Sequence, residues 1–76
     1  MLWYIQTFDR GNNPILGSGN GAFFHDLKTL RGVIKRLKLW RFKDYAATLK
    51  IYTMPGGAFR DGVLQYTGKI EGGRLI

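Results

Sequence analysis

DLKTLRGVIKRLK, the stretch from Asp26 to Lys38, decides the fold because its apolar residues recur every three or four positions. These residues are Leu27, Leu30, Val33, Ile34 and Leu37. At about 100° per residue their side chains fall within an arc of roughly 120°, the pattern of an amphipathic helix with one buried face. We predict Asp26 as the N-cap and an end near Lys38, since a longer helix would place Arg41 in the apolar arc.

The segments on both sides of this helix have the composition of β-strands. Residues 2–8 are rich in aromatic and β-branched side chains, and residues 47–54 alternate, with Leu49 and Ile51 on one face and Lys50 and Tyr52 on the other. The dipeptide Asp61-Gly62 is a strong hairpin-turn signal before a further strand. The predicted strands are 2–8, 47–54 and 63–67, with residues 15–16 as an optional short return strand and residues 71–76 as an edge strand unless the chain end frays.

A single amphipathic helix must bury its apolar face, and the rest of this chain offers only the face of a sheet. We therefore predict an α+β fold, in which one amphipathic helix packs on a small antiparallel sheet of three to four strands in the order β-(β)-α-β-β. A chain of 76 residues is too short to divide its core in two. Residues 1–76 are expected to form a single domain.

The composition restricts the class of protein. Twelve Lys and Arg against five Asp and Glu give a net charge of +7, which favours an anionic partner. The chain has no cysteine, so neither a disulfide framework nor a thiolate zinc site is predicted. No apolar run approaches the ~20 residues of a membrane span, and the first residues do not resemble a secretory signal. We expect a cytoplasmic, non-enzymatic protein that does not bind membranes and has no cofactor or metal; the oligomeric state is left open.

The main functional signal is the concentration of cations between residues 28 and 43, a segment that contains no acid. The predicted binding residues are Lys28, Arg31, Lys35, Arg36 and Lys38 on the polar side of the helix, extended by Arg41 and Lys43. Cations along one side of a helix can follow a nucleic-acid backbone and release its counterions. The leading hypothesis is therefore a small protein that binds nucleic acid or a nucleoprotein complex. The alternative is a phage-type inhibitor or adaptor that docks the same basic face on an acidic, nucleic-acid-binding surface of a larger host complex.

The stretch GSGNGA, residues 17–22, matches the letters of a dinucleotide-binding fingerprint. That fingerprint requires a preceding parallel strand inside a βαβ unit, and a dinucleotide-binding fold needs a far longer chain. We interpret the stretch as a loop that leads into the helix and that could contact a phosphate. The residues predicted for such a contact are Gly17, Ser18, Gly19, Asn20 and Gly21.

Two further features allow more than one interpretation. Trp40-Arg-Phe-Lys43 interleaves aromatic and cationic residues, as surfaces that stack single-stranded bases do, but a small domain also needs Trp40 and Phe42 to close its core. Core packing is the favoured interpretation. His25 is the only histidine, and no nucleophile or carboxylate is matched to it in a recognisable pattern. A single-histidine nuclease stays an alternative, and no catalytic residue is predicted.

Overall fold

In the computed structural model, which describes residues 1–15, 21–57 and 59–76, five strands form one antiparallel sheet. The spatial order of the strands is β2-β1-β3-β4-β5, and the sheet curves into half a barrel. The elements are β1 (Trp3–Asp9), β2 (Gly21–Phe24), α1 (Leu30–Leu37), β3 (Ala46–Thr53), a single 3-10 turn (Phe59–Asp61), β4 (Val63–Glu71) and β5 (Arg74–Leu75).

The prediction of one helix packed on three to four strands is therefore wrong. The strand that the sequence interpretation missed is β2, in a region expected to be a loop. Gly21 and Ala22 have weak strand preferences, so this strand depends on its partner more than on its own residues. It pairs with β1 in a register that places Phe24 opposite Trp3 and Phe23 opposite Tyr4.

The helix is also shorter than predicted, because it begins at Leu30 and not at Asp26. Thr29, in an extended conformation, is the N-cap, and its hydroxyl accepts a hydrogen bond from the Gly32 N–H at 3.1 Å. The preceding segment is held away from the helix by Trp3, whose Nε1 donates to the Leu27 carbonyl at 2.8 Å. The predicted N-cap, Asp26, is wrong for this reason. The predicted end is confirmed, since Lys38 is the C-cap.

The core lies between α1 and one face of the sheet, here called the inner face. Val33 and Leu37 of the helix are completely buried, together with Leu49 and Ile51 of β3. Trp3 and Ile5 of β1 belong to the same buried cluster. Leu27, Leu30 and Ile34 are partly buried and pack against it. The predicted apolar side of the helix is therefore confirmed, and so is the predicted alternation of β3.

Strand β4 continues past its predicted end at residue 67 and returns through a two-residue turn into β5. Gly72 and Gly73 both have positive φ angles, of 59° and 77°, which is the backbone of a type I′ hairpin turn. Because glycine adopts this conformation without steric cost, the pair stabilises a short edge strand where the sequence interpretation left fraying open. Leu75 of this strand is buried in the core.

Candidate nucleic-acid interface

Four of the seven predicted binding residues are exposed and lie on the helix or at its ends, and we call them together the cationic helix surface: Lys28, Arg31, Lys35 and Lys38. Arg31, Lys35 and Lys38 fall within an arc of about 60° on the helix, next to the buried stripe. Lys28 precedes the N-cap. Within the described ranges no acidic side chain makes an ion pair with any of the four, since the ion pairs found there involve Arg36 and Arg41.

Arg36 was predicted to belong to this surface, but it lies on another side of the helix. Its two terminal nitrogens donate to the two carboxylate oxygens of Asp26, at 3.0 and 2.8 Å. Its guanidinium carbon also lies 5.1 Å from the centroid of the Phe24 ring, within cation–π range. The hydrogen bond from Arg36 lowers the pKa of Asp26, and the same bond raises the pKa of Arg36. Arg36 thus positions the segment before the helix and has its charge compensated.

Arg41 also has partners within the protein. It donates to the Gly72 carbonyl at 2.5 Å and to an Asp44 carboxylate oxygen at 3.2 Å. A Cβ atom added to Gly73 would lie 2.8 Å from the guanidinium group, so this side chain packs directly on the β4–β5 turn. Arg41 therefore ties the segment after the helix to the last hairpin. Lys43, the other predicted extension, is exposed.

The predicted loop contacts Gly17, Ser18, Gly19 and Asn20 lie outside the described residues. Gly21, the fifth, is the first residue of β2 and is paired with Gln6 of β1.

Trp40 and Phe42 belong to the core, as the favoured interpretation held. Phe42 is buried, and Trp40 packs edge-on against Phe24 at a centroid separation of 5.5 Å. Both rings therefore pack in or against the core. The stacking function that this segment suggested would need other aromatic residues.

Such residues occur on the face of the sheet opposite the core, the outer face, and sequence reasoning missed them as a group. Tyr4 and Phe8 of β1, Phe23 of β2 and Tyr52 of β3 all point to this side, because they alternate with the inner-face residues of their strands. We call these four residues the aromatic sheet surface. Tyr52 alternates with buried Ile51 in the sequence, but only the pairing of β1 with both β2 and β3 brings the four rings together.

The rings of this surface lie close to one another. The ring centroid of Tyr4 is 5.1 Å from that of Phe23 and 6.1 Å from that of Tyr52. Lys50 lies in the next cross-strand row, and its Nζ is 4.9 Å from the centroid of Phe8. Burial, and secondarily the neighbouring Tyr52, raises the pKa of Tyr4, so the phenol stays neutral at physiological pH.

A shallow pocket of about 310 Å³ opens on the outer face. It is lined by Tyr4, Gln6, Phe8, Pro14, Tyr52, Met54 and Gly62. Its volume is at the lower end of the roughly 300–1,000 Å³ that small-molecule sites occupy. The pocket can therefore accommodate a flat ring but not a large cofactor.

A histidine, a group of metal-ligating side chains or a long apolar helix would indicate another kind of site. His25 is exposed at the end of β2. The described residues contain no group of three His, Cys, Asp or Glu side chains placed to hold a metal ion. None of the helices in residues 1–15, 21–57 and 59–76 combines the length and apolar character needed to cross a membrane.

Comparison with protein-family models, with curated proteins and with solved structures found no match to the chain.

Proposed function

We propose that this protein binds nucleic acid through the cationic helix surface and acts by binding, without catalysis. The observation that carries the proposal is the grouping of Lys28, Arg31, Lys35 and Lys38. All four are exposed, and the described residues give none of them an acidic partner. An ordinary protein surface intersperses charges of both signs, because like charges repel. A surface from which acids are missing favours an anionic partner.

The spacing of these cations suits a phosphate backbone. Arg31 and Lys38 are seven residues apart, or about 10 Å along the helix axis. One strand of B-DNA carries about one phosphate per 3.4 Å of axis, so this length corresponds to about three phosphates. Contacts of this kind position a protein on nucleic acid without reading bases. We therefore expect weak sequence preference from the helix alone.

The net charge supports the same proposal at longer range. A charge of +7 attracts a polyanion before contact and raises its association rate, an effect that falls with ionic strength. Two of the five acids, Asp26 and Asp44, already pair with Arg36 and Arg41 and so do not offset the helix surface.

Charge reversal with a matched control tests the proposal. The double variant Arg31→Glu/Lys35→Glu changes the helix surface, and Arg10→Glu/Arg60→Glu makes the same change of net charge, from +7 to +3, at exposed positions outside the helix. Binding of each protein to a fluorescent 20-base-pair duplex is measured by anisotropy at about 50 mM salt, after circular dichroism has shown that both variants fold. The helix variant should lose binding, and the control should weaken it much less.

Equal losses in the two variants would show that total charge matters and the helix surface does not. If wild type binds neither duplex nor single strand at this salt concentration, the nucleic-acid proposal fails. An acidic protein surface, which would use the same four cations, then becomes the partner to seek.

A further inference from the structure

The outer face of the sheet carries four aromatic residues that are not part of the core. The aromatic residues that pack against the core are on the inner face or on the segment after the helix, and Tyr4, Phe8, Phe23 and Tyr52 are not among them. Phe23 is 46 % exposed, and the other three rings are half-buried. Aromatic side chains that stay partly accessible side by side on one face of a sheet form the kind of apolar patch that serves a contact.

The polar residues between these rings indicate the chemistry of that contact. The cross-strand rows on this face pair Tyr4 with Phe23 and Tyr52, Gln6 with Lys50, and Phe8 with Thr48, which is paired in turn with Lys69 of β4. Over the described strands these rows contain two lysines and no acid. Glu71, two residues beyond Lys69 on β4, is the acid on this side of that strand, and it lies outside the rows that hold the rings. Rings with cations in the same and adjacent rows are complementary to bases joined by phosphates, because the rings stack and the cations neutralise.

We propose that the aromatic sheet surface binds the unstacked bases of single-stranded nucleic acid. Bases in a duplex already stack on one another, so the rings can engage only a strand whose bases are free. The pocket lined by Tyr4, Phe8 and Tyr52 would accept one flat base, and Lys50 and Lys69, in the rows that contain Gln6 and Phe8, would meet the flanking phosphates. This surface is on the side of the sheet opposite α1. It does not depend on the cationic helix surface, and the inference goes beyond the function proposed above.

The most direct test removes the bases and keeps the charge. A thymidine 12-mer and an abasic 12-mer carry the same phosphates, so a protein that contacts only phosphates binds them equally. Loss of a stacking partner costs about 1–3 kcal/mol per base, or roughly 5- to 150-fold in affinity. Wild type should therefore bind the thymidine strand at least about fivefold more tightly than the abasic strand at about 50 mM salt.

The same comparison on variants assigns the preference to these rings. Phe23→Leu/Tyr52→Leu removes two rings at exposed or half-exposed positions, and Phe23→Tyr/Tyr52→Phe keeps both rings as the matched control. The leucine variant should bind the two strands with nearly equal affinity, and the control should keep the wild-type ratio. Circular dichroism establishes that the leucine variant folds. The ratio of wild-type affinities for the thymidine and abasic strands is measured without any variant. The proposal can therefore still be refuted if the leucine variant does not fold.

The outcomes separate this inference from the proposed function. If wild type fails to prefer the thymidine strand, or if the leucine variant keeps the full preference, the stacking proposal is overturned. Arg31→Glu/Lys35→Glu should weaken both strands by the same factor and leave their ratio unchanged. If that variant binds duplex as wild type does, the helix proposal fails, and the ratio still decides the stacking proposal.

Discussion

The salt dependence of duplex binding should reveal which cations contact phosphates. We expect log K to fall linearly with log salt at a slope of about −0.9 for each phosphate that the protein neutralises on B-DNA. If the four residues of the cationic helix surface each neutralise one phosphate, the slope is about −3.6. If all seven cations between Lys28 and Lys43 took part, it would be about −6.3.

Two adjacent residues make this expectation sharper. Lys35 is exposed, and no ion pair involves it among the described residues, whereas Arg36 is held by both carboxylate oxygens of Asp26. Lys35→Gln should change the slope from about −3.6 to about −2.7. Arg36→Gln removes the same formal charge from a residue that already has a partner, and it should leave the slope unchanged.

The assay is fluorescence anisotropy with a 20-base-pair duplex across a series of salt concentrations, with wild type and both single variants measured side by side. A wild-type slope near −6.3 would refute the division of the cations into paired and unpaired groups. Equal changes of slope for Lys35→Gln and Arg36→Gln would refute it as well, because the Asp26 ion pair would then have no effect on binding.

The other predictions concern stability and titration. Leu37→Ala should lower the free energy of unfolding by about 2–5 kcal/mol in urea denaturation, and Leu39→Ala, at a position 78 % exposed, should change it by less than about 0.5 kcal/mol. Thr29→Ala should cost about 1 kcal/mol by the same assay, because it removes the N-cap; no loss would show that another group caps the helix. Gly73→Ala should cost at least about 1–2 kcal/mol, since the residue is left-handed and its Cβ would meet a guanidinium; an unchanged midpoint would contradict the turn geometry. Burial raises the pKa of Tyr4 in the folded state above its ordinary value of about 10. The stability that the neutral phenol contributes is therefore complete below pH about 10 and is lost as the pH rises through the folded-state pKa. Tyr4→Phe should reduce this loss of stability at alkaline pH.

The sequence predicted the helix best where local periodicity alone decides the structure. The buried side of α1 and its end at Lys38 follow from the spacing of apolar residues within a few turns. Its beginning could not be predicted in this way. Asp26 and Thr29 are both good N-cap residues, and the choice between them depends on Trp3 and Arg36, which contact that segment from another strand and from the helix itself.

The sheet was predicted less completely because strand pairing is not local. Residues 46–53 alternate clearly enough to be recognised alone, but Gly21 to Phe24 become a strand only beside β1. The aromatic sheet surface was missed for the same reason. The signal was present in the alternation of Tyr4 with Trp3 and Ile5, but the strand order β2-β1-β3 is needed to place Phe23 and Tyr52 on either side of Tyr4.

The candidate site was predicted in composition but not in detail. Counting charges identified all seven cations between residues 28 and 43, because the charge of a segment can be read from its sequence alone. It could not show that Asp26, predicted as the N-cap, and Asp44 would engage Arg36 and Arg41. Those pairs form only after the chain has folded around them.

Mapping the contact on the folded protein tests the central claim most directly. Backbone amide chemical shifts of the 15N-labelled protein are followed by NMR while a 12-base-pair duplex is added at about 50 mM salt. Our account predicts that the largest shifts occur at residues 28–38, with those of Arg31, Lys35 and Lys38 prominent among them. Largest shifts elsewhere, or no shifts at saturating duplex, would contradict the assignment of the cationic helix surface as the nucleic-acid interface.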